Sequence, residues 1–132
     1  MAAANAQSAV DGDTIKLDGV TFRLWGIDAP ESKQLCDGAP MGGAATEALR
    51  NLMKGKTIEC EKRATDRYGR TVALCRADGL DLSAAMVQSG WAFAFVRYSR
   101  DYVPLEERAR AENIGLHPFH CQRPWDWRAE RR

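Results

Sequence analysis

The stretch Thr14-Ile15-Lys16-Leu17-Asp18-Gly19-Val20-Thr21-Phe22-Arg23-Leu24-Trp25-Gly26-Ile27 decides the fold of this chain. Thr14 to Leu17 is rich in strand-forming residues, and Asp18-Gly19 is a strong two-residue hairpin signal because both central positions of such a turn need positive φ. Val20 to Ile27 reads as the returning strand. Side chains alternate across a strand, so Phe22 and Leu24 share one face while Arg23 and Trp25 take the other. An antiparallel pair therefore opens the fold and carries an arginine away from its Phe22 face.

Ala29-Pro30 stops the second strand, and the polar, Gly- and Pro-bearing segment Glu31 to Gly43 reads as a loop. From Ala44 the pattern becomes helical, with Ala45, Ala48, Leu49, Leu52 and Met53 near one face and Gly55 as the stop. Strand character returns in Thr57 to Lys62 and Thr71 to Arg76. Asp81 or Ser83 caps a short helix ended by Gly90, and a third helix starts near Pro104 and stops at Gly115. Two strands, a helix, two strands and two helices imply an α+β domain with a small barrel or strongly bent sheet.

A chain of 132 residues is long enough for one core and too short for two, so residues 1–132 are read as a single domain. Apolar content of 45% and charged content of 28% lie near the averages of globular domains, which excludes a disordered chain. The run Trp91 to Val96 is far too short to cross a bilayer, so no membrane partner is expected, and its alternating large residues read as core. The segment 117–132 includes Pro124-Trp125-Asp126-Trp127-Arg128, too aromatic for a disordered linker, and is expected to pack back on the domain. A monomer is expected.

Four cysteines form an even set. Cys60 and Cys75 sit in strand-like stretches that can fold back on each other, leaving Cys36 and Cys121 to join the early loop to the tail. Two disulfides, with an Ala-rich start in which residues 1–9 resemble the remnant of an export signal, point to a secreted or periplasmic protein.

The net charge of only +1 is distributed unevenly. Lys54, Lys56, Lys62, Arg63, Arg67, Arg70 and Arg76 outweigh Glu59, Glu61 and Asp66, and the tail adds Arg123, Arg128, Arg131 and Arg132. Most of these read as a solvated surface, and the chemistry concentrates in three motifs. Asp11-Gly12-Asp13-Thr14 puts two carboxylates at a strand entrance, and Arg23 to Glu31 delivers an Arg, an Asp and a Glu within nine residues. Oxygen ligands from Asp13, Asp28 and a loop carbonyl suit a hard cation such as Ca²⁺ or Mg²⁺, leaving Glu31 to orient or deprotonate water. Asp66-Arg67-Tyr68-Gly69-Arg70 adds cationic residues on a turn, and an arginine fork matches a phosphate with two parallel hydrogen bonds.

These motifs, in this order and at these separations, resemble the staphylococcal nuclease (thermonuclease) homologues. Met86-Val87-Gln88-Ser89-Gly90 and Ala109-Arg110 before Gly115-Leu116 extend the likeness to nearly the whole chain. The resemblance implies an OB-fold-type five-stranded β-barrel with three α-helices and a Ca²⁺-dependent nuclease acting on DNA and RNA. It implies that Asp13, Asp28 and the backbone carbonyl of Ala29 bind Ca²⁺, and that Arg23 and Arg70 hold the scissile phosphate. Glu31 is the implied general base or water-orienting group, in a reaction that expels the 5′ oxygen and leaves 3′-phosphate products. Tyr68 and Tyr98 match nucleotide-contacting positions. Three features depart from the best-known member: Ala29 stands where it has threonine, Val96 where it has a second substrate tyrosine, and the 33–43 loop is not lysine-rich. Two other readings compete: an inactive OB-type module that binds nucleic acid or protein, and a zinc-stabilised domain using His117, His120, Cys121 and Cys36.

Overall fold

The computed structural model describes residues 6–131. Strands β1 (Gln7–Asp11), β2 (Thr14–Leu17) and β3 (Val20–Leu24) form an antiparallel meander, in which Asp18 and Gly19 both adopt positive φ at the β2–β3 turn. After the two-residue strand β4 (Ile27–Asp28) and a loop comes helix α1 (Met41–Met53), then β5 (Ile58–Thr65) and β6 (Thr71–Ala77). A short β7 (Leu80–Asp81) leads into α2 (Leu82–Gln88), followed by β8 (Phe93–Ala94), α3 (Val103–Glu112) and α4 (Pro124–Glu130). The principal sheet runs β1-β2-β3-β6-β5, with β7 on β6, while β4 and β8 form a separate pair. Among the described residues its one parallel contact is β3 beside β6, with Leu24 opposite Ala73. The five-strand path and its helices are the α+β arrangement expected, and α4 is a helix beyond the three expected.

Several boundaries differ from the sequence reading for identifiable reasons. Residues 7–9, expected in the leader remnant, belong to β1 and pair with Leu17, Lys16 and Ile15, so the sheet claims them; residues 1–5 lie outside the described part. The returning strand ends at Leu24 and not at Ile27, because Gly26 turns the chain at φ +77° and β4 joins β8 instead. Helix α1 begins at Met41, three residues early. Pro40 occupies its N-cap, and a proline at a helix entrance forfeits no intrahelical hydrogen bond. Asp81 is the cap of α2, its carboxylate accepting from Ala84 N–H at 3.1 Å. Helix α3 closes before Gly115, at Asn113, which takes the left-handed conformation at φ 57°.

The core lies where α1 and α2 cover the sheet. Ala45, Leu49 and Met53 repeat every fourth residue and present one stripe toward Ile15, Leu24 and Ala73, with Leu82 and Met86 of α2 filling the same layer. A second cluster gathers Cys36, Met41, Phe93 and Leu116, against which Phe119 and Trp125 pack. It holds the tail against β8. Disulfides join Cys60 to Cys75, which face each other across β5 and β6, and Cys36 to Cys121. With all four thiols used, the zinc reading loses two of its four ligands. Among the described residues no helix is long and apolar enough to cross a membrane.

Candidate active site

Register places the first charged residues. Thr14 pairs with Arg23 across β2 and β3, and Leu24 N–H donates to the Asp13 carbonyl at 2.7 Å, so the turn before β2 lies beside the end of β3. Gly12 lets that turn sit close to its neighbours, since a Cβ there would stand 2.7 Å from the Ala29 side chain and 3.0 Å from that of Ala45. Asp13 is buried and fully engaged. Its Oδ1 accepts from the Thr14 hydroxyl at 2.9 Å, and its Oδ2 accepts from Ala29 N–H at 2.9 Å.

Asp28 reaches the same point from β4, where its backbone pairs with Phe93, and its side chain is wholly buried. Arg23 bridges the two carboxylates, with Nη2 at 3.1 Å from Asp28 Oδ1 and 3.8 Å from Asp13 Oδ2. The Arg23 Nε is buried without a partner, a donor left over from the internal pairing and able to serve an incoming oxyanion.

Two buried acids this close cannot both ionise freely. Burial, and next the charge of Asp13, push the Asp28 carboxyl up to about 7 against the pull of Arg128 and Arg23. Burial also opposes ionisation of Asp13, but Arg23 and the hydrogen bonds from Asp28, Ala29 and Thr14 outweigh it and hold that carboxyl below its ordinary range. Asp11, beside them, is raised to about 6 by burial and by the charges of Asp13 and Glu31. The Arg23 guanidinium is held more firmly protonated: burial opposes this, and the charges of Asp13 and Asp28 prevail.

Glu31 enters from the loop after β4. Its carbonyl accepts from Gln34 N–H at 2.8 Å, while Ser32 N–H donates to Asp11 at 3.0 Å, so the start of the loop is fastened beside Glu31. The Glu31 carboxylate meets a residue that the sequence reading left among tail charges. Arg128 of α4 donates to Glu31 Oε1 at 2.8 Å and grips Asp28 with both nitrogens, at 2.6 Å to Oδ2 and 3.3 Å to Oδ1. Burial works against the Arg128 charge, and the bonds to Asp28 and Glu31 more than offset it.

Arg70 comes from the β5–β6 hairpin. Asp66 organises it, accepting from the N–H groups of Tyr68 and Arg70, each at 2.9 Å, and from Arg70 Nε at 2.7 Å. Burial opposes its ionisation, but the Arg70 and Tyr68 donors hold the Asp66 carboxyl below the usual range. The guanidinium of Arg70 lies 5.5 Å from the Tyr68 ring centre, and Tyr68 itself is 68% exposed. Tyr98 packs on Trp25 and Phe95, with centroids 5.3 and 5.5 Å apart.

Asp13, Arg23, Glu31, Arg70, Tyr68 and Tyr98 line one open groove of about 1320 Å³, to which the tail contributes Trp125, Trp127, Arg128 and Arg131. That exceeds the ordinary range for a small-ligand pocket and suits a polymer lying across it. Asp13, Arg23, Asp28, Glu31 and Arg70 are thus brought to one region, with Tyr68 and Tyr98 on its rim. Ala29 is seen through its N–H bond to Asp13. Sequence reasoning missed Arg128 and the organising role of Asp66. An Asp at the first position of a turn, four residues before an Arg, was the available signal for the latter.

The donor set fits a hard cation. Its ligands would be carboxylate and carbonyl oxygens; burial, and next the charge of the neighbouring carboxylates, lifts Asp28 and Asp11, and the second of these is what a cation relieves. No group of three or more His, Cys, Asp or Glu converges as a metal cage among the described residues, so a cation here would rest on two carboxylates, backbone oxygen and water.

Buried carboxylates bridged by an arginine, beside a second arginine on a polymer-sized groove, define a site able to hold an oxyanion on guanidiniums and a cation on oxygens. The chain belongs to the staphylococcal nuclease homologue family, whose sequence profile matches residues 21–117. It is 35% identical over 127 residues to an uncharacterized endonuclease of Escherichia coli O157:H7, covering 90% of this chain and 80% of that one. It is 33% identical over 113 residues to a similarly described protein of Haemophilus influenzae, covering 80% and 61%. The staphylococcal-like nuclease CAN1 of Arabidopsis thaliana is 33% identical over 114 residues; 84% of this chain aligns with 34% of that longer protein.

Proposed function

We propose that this protein is a Ca²⁺-dependent nuclease that hydrolyses phosphodiester bonds in DNA and RNA and leaves 3′-phosphate products. The observation that carries the reading is the buried Asp13–Arg23–Asp28 cluster, opening with Arg70 onto one groove. Membership of the nuclease family supports it, as do relatives described as endonucleases.

Asp13, Asp28 and the Ala29 carbonyl would hold the cation, which supplies positive charge at the phosphate and a more acidic bound water. Arg23, with its unused Nε, and Arg70 bind the non-bridging phosphate oxygens and neutralise charge as phosphorus becomes five-coordinate. Glu31 orients the attacking water and accepts its proton. As the new P–O bond forms, the bond to the 5′ oxygen breaks, and that oxygen takes up a proton on leaving. Tyr68 and Tyr98 bind the flanking nucleotide, where each stacked base is worth roughly 1–3 kcal/mol. The enzyme acts as a monomer outside the cytoplasm, in the secreted or periplasmic space that its two disulfides suit.

Digestion of plasmid DNA and of RNA, with Ca²⁺ and with chelator, tests the proposal. Cleavage by the wild type that chelator abolishes and Arg23→Ala nearly eliminates is the expected result. Binding of both polymers without cleavage under any metal would replace it with the inactive binding module.

A further inference from the structure

Arg128 stands where the proposed function needs a cation. Its guanidinium takes both oxygens of Asp28 and one of Glu31, at 2.6, 3.3 and 2.8 Å. We infer that Arg128 and a divalent cation are alternative occupants of the Asp28 carboxylate, so that this tail arginine, held also by Glu31, sets the affinity of the site for its metal. The inference rests on the cation reading above.

Chemistry sets the two in competition. An N–H donor and a hard cation draw on the same carboxylate lone pairs, and with Arg23 already on Asp28 Oδ1 at 3.1 Å the two-nitrogen hold of Arg128 leaves a cation little of this carboxylate. Arg23 differs from Arg128 in this respect. It touches Asp28 through a single nitrogen at 3.1 Å, leaving Asp28 Oδ2 to Arg128 alone. A guanidinium also stays charged at any working pH, so competition does not lapse.

The tail is built to present this arginine and to let it go. Cys121 is bonded to Cys36, Gln34 Nε2 donates to the Gln122 carbonyl at 2.8 Å, and Arg123 donates to the buried Glu106 at 3.1 and 3.2 Å. The last aromatic anchor is Trp125, 5.5 Å from Phe95. Beyond Trp125, among the described residues, the polar bonds from α4 to the rest of the domain are those of Arg128 itself. Covalent anchoring seven residues upstream keeps the effective concentration of Arg128 at the site high, while the end of α4 can swing without disturbing the core. If Arg128 holds the carboxylates in about 90–99% of molecules, the apparent cation affinity falls by about 10–100-fold.

The test is Ca²⁺ titration calorimetry on the full, oxidised chain as wild type, Arg128→Ala, Arg128→Lys and Asp28→Asn, with thermal melts to verify folding. Hydrogen exchange of residues 126–131 in the wild type, with and without Ca²⁺, is read alongside. Arg128→Ala is expected to bind Ca²⁺ at least about tenfold more tightly than wild type, Arg128→Lys to fall between, and Asp28→Asn to lose binding. Ca²⁺ should accelerate amide exchange at the end of α4. Equal or weaker Ca²⁺ binding by a folded Arg128→Ala overturns the inference and leaves the cation site standing. Absence of Ca²⁺ binding in every form overturns both. Should Arg128→Ala fail to fold, the wild-type exchange decides: α4 amides unchanged or slowed by bound Ca²⁺ overturn the inference.

Discussion

Two adjacent glycines in the first turn of α1 ought to respond in opposite ways to the same substitution. A Cβ built on Gly42 would fall 1.7 Å from the Glu31 carbonyl oxygen, 2.8 Å from its carbon and 3.1 Å from Gln34 N. Backbone cannot rotate aside as a flexible side chain would, so the Glu31 carbonyl must retreat by about 1.7 Å to restore van der Waals contact. The retreat strains two bonds, Gln34 N–H to Glu31 at 2.8 Å and Gly42 N–H to the Gln34 carbonyl at 3.1 Å. Losing one such bond costs roughly 1–3 kcal/mol. Displacing a catalytic group by about 1 Å costs on the order of 100-fold in rate. At Gly43 the nearest atom is 4.0 Å away, and Gly→Ala in an exposed helical turn stabilises by up to about 1 kcal/mol. Thermal melts and the initial rate of single-stranded DNA cleavage, measured in parallel for Gly42→Ala and Gly43→Ala, check this. Gly42→Ala should melt lower and cut on the order of 100-fold more slowly, while Gly43→Ala equals or exceeds wild type. Indistinguishable melts and rates for the two variants would refute the view that α1 fixes the Glu31 backbone.

Three further outcomes follow from the same geometry. Asp28 is raised from 3.8 to about 7 on folding, so between these values the native state holds a proton that the unfolded chain has released. The associated stability is complete below about pH 4 and is lost as pH rises through about 7, roughly 3 kcal/mol between about pH 5 and pH 8; urea titrations in chelator should show this fall and Asp28→Asn should flatten it. Asp66→Ala frees the Arg70 guanidinium and two hairpin N–H groups, and should lower kcat about tenfold or more with little change in melting temperature, because the hairpin lies at the rim; an unchanged kcat would mean that Arg70 needs no orienting partner. Replacing Cys36 and Cys121 by serine should destabilise the protein more than replacing Cys60 and Cys75, since loops of 85 and 15 residues give about 4–5 and about 3 kcal/mol on the chain-entropy view, read by denaturant midpoint.

What was legible in the sequence follows the range of the interactions involved. The β2–β3 hairpin is written locally: alternation, Asp18-Gly19, and the Thr14–Arg23 pairing that places Arg23 beside Asp13 all follow from one turn. Asp66 and Arg70 lie four residues apart in one hairpin, and Asp28 and Glu31 flank one loop, so proximity in sequence carries most of their geometry. Strands β4 and β8, two residues each, have no periodicity to read and exist because each completes the other. Gln7–Asp11 buries little beyond Ala9, and only its partner β2 makes it a strand.

Arg128 is the extreme case. Its bonds to Asp28 span 100 residues, and the seven-residue helix that carries it is too short for an amphipathic stripe. Its position is imposed by fastenings that are long-range in their turn, Cys36 to Cys121 and Glu106 to Arg123. Composition showed only that the tail was basic and aromatic, a description that a solvated tail satisfies equally well. Without Arg128 the carboxylates of Asp13, Asp28 and Glu31 would face the single buried guanidinium of Arg23, and the burial and Asp13 charge that lift Asp28 to about 7 would lose one of their two counterweights. A site built to take a cation is unbalanced until some positive charge arrives, and in this chain the far end of the sequence supplies one.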